Sequence, residues 1–97
     1  MGPSHAGAIA MQCYLVCCEV QGDGDCVSLY ESIRTCGRVT RVTLSTWAVL
    51  TNRTTDQIRN AISRHLGRDD RIFVVKSGVE ASWMNVRCES QWLRKHL

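Results

Sequence analysis

The chain has 97 residues, 44% apolar and 22% charged, with 12 basic and 9 acidic side chains and a net charge of +3. That length and balance fit one small globular domain with a thin core. They exclude a disordered polyelectrolyte and a protein dominated by a basic field.

Residues 1–10 (MGPSHAGAIA) lack the basic start and apolar run of a signal peptide. They read as an expression leader without fixed structure, with Met11 as the natural start and 11–97 as a single domain. Cys13 to Cys18 is continuously apolar. It is too short to span a membrane and lacks helical spacing, so it is expected to be a strand buried on both faces. Glu19 ends it, and Gln21-Gly22-Asp23-Gly24-Asp25 follows as turn chemistry. A carboxylate at a strand end beside Asp23 and Asp25 is a candidate divalent-metal site. The same residues also serve a solvated strand end and a helix cap. Gly22-x-Gly24 is no dinucleotide loop, because Val27 stands at the third glycine position.

From Asp25 to Cys36, apolar residues at Cys26, Leu29, Tyr30, Ile33 and Cys36 predict an amphipathic helix ended by Gly37. Arg38 to Leu44 alternates as a half-exposed strand near a sheet edge, and Thr46 to Thr51 (TWAVLT) reads as a second central strand. Thr54 and Gln57 match a capping box for a helix running to about Leu66, stopped by Gly67. His65 falls on or beside the apolar face as a packed or rim residue. Arg71 to Lys76 is the fourth strand, Ser82 to Val86 a short edge strand or irregular arm, and Cys88 to His96 a helical tail.

The order is the split βαβ pattern of the ferredoxin-like α+β fold, βαββαβ, with a short C-terminal helical tail. It places the first and third strands centrally and both long helices on one sheet face. The other face has only the tail to cover it, so a second copy of the chain is the simplest partner. The six cysteines form no C-x-x-C pair and read as reduced core residues of a cytoplasmic protein. The cations are ten Arg against two Lys, and Arg suits phosphate contacts. Arg38, Arg41, Arg53 and Arg71 are the candidates for RNA or DNA, provided they share a face or a dimer groove.

Several ordered segments carry a family resemblance. They are the strand ending at Glu19, Ser28-Leu29-Tyr30 with Ile33, Ser45 to Asn52, Thr54 to Leu66, Asp70 to Val75, and Trp92 to Leu97. Together they resemble the CRISPR-associated Cas-two endonuclease family and, more closely, its SinR-like relatives. The resemblance implies a ferredoxin-like homodimer that contacts RNA or DNA. In active members an Asp ends the first strand, and two copies near the twofold axis hold a magnesium ion that activates water. Glu19 stands at that position here, and Gly22-Asp23-Gly24-Asp25 replaces a basic cluster. These departures favour a non-catalytic nucleic-acid-associated or adaptor protein. The alternative is a magnesium-dependent endoribonuclease or endonuclease using Glu19 at the dimer axis, assisted by Asp23 or Asp25. A small-ligand sensor on the same fold is a third expectation.

Overall fold

The computed structural model describes residues 11–20, 26–78 and 80–97. The expected leader and the acids Asp23 and Asp25 lie outside the described residues. The elements are β1 (Gln12–Glu19), α1 (Cys26–Arg34), β2 (Arg38–Arg41), β3 (Thr46–Thr51), α2 (Thr55–Ser63), β4 (Arg71–Lys76) and α3 (Ser90–His96). The strands form one sheet in the order β2-β3-β1-β4, antiparallel at each pairing. This is the ferredoxin-like α+β arrangement, with the two most apolar strands at its centre.

β1 is paired along both edges. Val16 lies opposite Trp47 of β3 on one side and Val74 of β4 on the other. Successive side chains leave a strand on opposite faces, so β1 feeds two cores. Tyr14, Val16 and Cys18 join Trp47 and Val49 beneath Leu29 and Ile33 of α1 and Ile58 and Ile62 of α2. Cys13 joins Ala48 and Leu50 beneath Leu93 of α3. Burial of each large aliphatic side chain contributes about 1.5–3 kcal/mol, which makes the first cluster the main source of stability.

Helix ends are set locally. Thr54 Oγ1 accepts from the Gln57 N–H at 3.2 Å, and Gln57 Oε1 accepts from the Thr54 N–H at 2.9 Å, completing the capping box. α2 ends at Ser63, short of Leu66, because the last turn tightens: the His65 N–H bonds to the Ile62 carbonyl and Leu66 to Ser63. α1 ends at Arg34 in the same way, through Thr35, Cys36 and Gly37. Gly37 serves packing as well as termination, since a Cβ there would overlap the Leu50 carbonyl oxygen. β2 stops at Arg41, and Val42 turns back by donating to the Thr46 carbonyl at 2.8 Å.

The second sheet face is half covered. Ser82 to Val86 is an irregular arm, with Asn85 at φ 56°, and no strand forms there. It is tied down where the Arg87 N–H bonds to the Val42 carbonyl and Trp83 Nε1 donates to Ser90 Oγ. Trp83, Val86, Trp92 and Leu97 pack around the Leu93 cluster. The tail therefore shields Ala48, Leu50 and Cys13 and leaves the β4 side open: Phe73 is 63% exposed and Val75 39%. Both belong to this face, because they pair with Cys17 and Leu15.

Leu93→Ala is expected to destabilise the domain by about 2–5 kcal/mol, and Thr54→Ala by about 1 kcal/mol, as measured by urea unfolding. His96 packs against Trp92 with ring centroids 4.5 Å apart and the planes tilted by 54°. Its pKa is lowered by burial first, then by Lys95 and Arg38. A base whose folded pKa is depressed favours folding above its unfolded pKa near 6.5, and that contribution falls as pH drops below it. His96→Gln should therefore flatten part of the stability loss between about pH 7.5 and about pH 5.5 in unfolding titrations.

Candidate functional site

Three of the candidate side chains gather at one end of the sheet, where β1 and β2 finish and β4 begins. Glu19 closes β1 in register with Arg71, the first residue of β4. Their side chains meet, Arg71 Nη1 donating to Glu19 Oε1 at 2.6 Å. The pair is open to solvent, with the side chains 74% and 58% exposed. Its contribution to stability is therefore about 0–1 kcal/mol. Its chemical effect is larger, because a guanidinium occupies a carboxylate oxygen that a metal would need.

Arg41 ends β2 on the helix-covered face. Its guanidinium lies 5.0 Å from the centroid of the Trp47 ring. Nε and Nη2 donate to the Leu44 carbonyl at 3.2 and 2.5 Å. Cation–π contact and hydrogen bonds together hold Arg41 across the β2–β3 turn. Beneath it, Trp47 is buried, and its Nε1 has no hydrogen-bond partner among the described residues. An unmet buried donor costs on the order of 1–3 kcal/mol. Glu19, Arg41, Tyr30, Leu44 and Trp47 line one apolar cavity of about 280 Å³. Residue spacing gave no sign of this cavity, because Trp47 sits within a continuous apolar strand and its neighbours there come from three other elements.

The four candidate arginines do not share a face. Arg38 and Arg41 belong to one short strand at positions of opposite parity, so they leave opposite faces of the sheet. Arg38 pairs with Leu50 at the far end from Arg71. Arg53 follows β3 and stands beside the two long helices, with Nη1 3.8 Å from Cys36 Sγ. Only Arg41 and Arg71 lie at the Glu19 end, and Arg71 is neutralised there.

Toward magnesium the described residues offer Glu19, while Asp23 and Asp25 lie outside them. Among the described residues no group of three or more His, Cys, Asp or Glu side chains could hold a metal ion. The carboxylate that ends β1, Glu19, is bound to a guanidinium. A hard cation needs several oxygen donors and repels that guanidinium.

The described cysteines, Cys13, Cys17, Cys18, Cys36 and Cys88, are free. Burial pushes the Cys13 thiol up to about 11. It does the same for Cys18, to about 11, with help from Cys17 and Asp70. Burial raises Cys36 too, with Arg53 and Thr35 opposing. None of these three is set up as a nucleophile. His65 is exposed at the rim of the helix layer, and Trp47 is a core residue.

No family model matches the chain, and no curated protein matches it. Among solved structures it is similar to a hypothetical protein, TT1823, from Thermus thermophilus. The two share 20% identity and a TM-score of 0.63, over 79% of this chain and 94% of that one. At that identity the likeness establishes the fold alone. No helix among the described residues is long and apolar enough to cross a membrane.

Raising a thiol from 9.0 to about 11 cuts its thiolate fraction at neutral pH about a hundredfold. Cys13 and Cys18 should therefore resist alkylation in the folded protein and react fully in urea, as read by peptide mass spectrometry. Glu19→Gln should change unfolding free energy by no more than about 1 kcal/mol.

Proposed function

We propose that this chain is a non-catalytic, dimeric, nucleic-acid-associated or adaptor protein of the Cas-two and SinR-like kind. The observation that carries the reading is the ion pair between Glu19 and Arg71. A nuclease of this type needs that carboxylate free for magnesium, whereas here it neutralises an arginine. The dimer reading is supported by the open half of the sheet, where Phe73 and Val75 are exposed beside Leu15 and Cys17. A self-complementary apolar strip of this kind is closed most simply by a second copy about a twofold axis. Nucleic-acid contact draws support from Arg41 at one end of the sheet and Arg38 at the other. A twofold axis would repeat these charges across a longer surface. Free thiols, those of Cys13, Cys18 and Cys36 buried, agree with a cytoplasmic setting.

The test combines two measurements. Light scattering after gel filtration should give twice the chain mass of 10.9 kDa, and Phe73→Glu should give the monomer. Labelled single-stranded RNA and duplex DNA, with magnesium, manganese or chelator, should be retained in a salt-sensitive manner and remain uncut. Metal-dependent cleavage that disappears in Glu19→Ala would overturn the non-catalytic reading and make Glu19 a metal ligand.

A further inference from the structure

The helix layer carries a groove that the reading above does not use. It runs between α1 and α2, encloses about 450 Å³, and has Arg53 and Arg64 in its lining. A second hollow continues it along α2, again lined by Arg53 and Arg64, with Gln57 and Asn60 between them. Gln57, Asn60 and Arg64 fall at i, i+3 and i+7, one stripe of the helix. That stripe covers about 10 Å of helix length.

The hollow along α2 offers donors. Gln57 Oε1 is taken by the Thr54 N–H at 2.9 Å. Asn60 Oδ1 is taken by Arg59 Nε and Nη2 at 3.3 and 3.1 Å. Each carboxamide therefore has its NH₂ end left to offer. Arg34, Arg59 and Arg71 each have a carboxylate partner, whereas Arg53 and Arg64 have none among the described residues. The groove's one carboxylate, Glu31, lies 3.5 Å from Arg34. The floor is fixed, because buried Ser32 donates through Oγ to the Ala61 carbonyl at 3.4 Å and ties α1 to α2.

We propose that the hollow along α2, where it joins the α1–α2 groove, binds a ligand carrying two neighbouring phosphates, held by Arg53 and Arg64 with Gln57 and Asn60 donating between them. Two guanidinium forks match phosphate oxygens in geometry and charge. The stripe is longer than one tetrahedral anion and suits a pair. The phosphates can come from a nucleoside diphosphate or from successive links of a nucleic-acid strand. The proposal rests on the helix layer alone and stands apart from the dimer and from the Glu19 end of the sheet.

The experiment titrates the full chain with pyrophosphate, ADP and a single-stranded RNA dodecamer, following assigned amide and side-chain NH₂ signals by NMR. Pyrophosphate should move the Gln57 and Asn60 NH₂ signals and the Arg64 amide. Arg64→Glu, at an exposed position, should weaken binding by at least about tenfold. Arg68→Glu, outside the groove, should change it by less than about twofold. ADP binding as tightly as the dodecamer assigns the site to a nucleotide. A dodecamer that binds more tightly than ADP assigns it to a strand, and either result supports the proposal. Binding that survives Arg64→Glu, an equal loss in Arg68→Glu, signal changes confined to other surfaces, or no binding would overturn it.

Discussion

The two-sided burial of β1 is the constraint on which the other elements depend. Its backbone is paired to β3 and β4 along almost its whole length. Its alternate side chains enter two separate cores. A slip of one residue in its register would exchange the faces. Tyr14, with Val16 and Cys18, fills the space beneath the two long helices. On the opposite face, Cys13 and Ala48 leave room for Leu93. Exchanging the sets would drive Tyr14 into the close approach of α3 and leave a void under Ile33 and Ile58. Size, more than polarity, sets the register, because both sets are apolar.

From that strand the unequal treatment of the two sheet faces follows. One face receives two full helices whose Ile33, Ile58 and Ile62 are wholly buried. The other receives a seven-residue helix and an irregular arm, enough for β3 and part of β1. β4 is left as an edge strand with aromatic and branched side chains facing water. An exposed edge beside an apolar strip is the part of such a fold that calls for a partner. Stability thus rests mainly on the helix face, while the other face keeps an open apolar strip along β4.

Charge is distributed by the same geometry. The ends of antiparallel strands bring residues far apart in sequence together, and Glu19 meets Arg71 in this way across 52 positions. That meeting turns a carboxylate with the features of a metal ligand into half of a surface ion pair. Arg53, by contrast, leaves the sheet and joins Arg64 on the helix layer. The arginine excess is therefore split among separate surfaces, with no single basic face.

Local pattern was enough for the element order, the central placement of β1 and β3, and the capping box at Thr54. These depend on periodicity, apolar runs and residues three apart, all of which a linear chain displays. Helix ends at Arg34 and Ser63 were less legible, because tightening of a last turn depends on backbone geometry more than on the glycine beyond it. Of the site, the sequence marked Glu19 and the individual arginines by type and position. What each side chain meets was decided by the tertiary structure alone. The Glu19–Arg71 pair, the Arg41–Trp47 stack, the opposite faces of Arg38 and Arg41, and the α1–α2 groove all join residues from different elements. Such pairings are set by sheet register and helix packing, which fix distances that no spacing along the chain encodes.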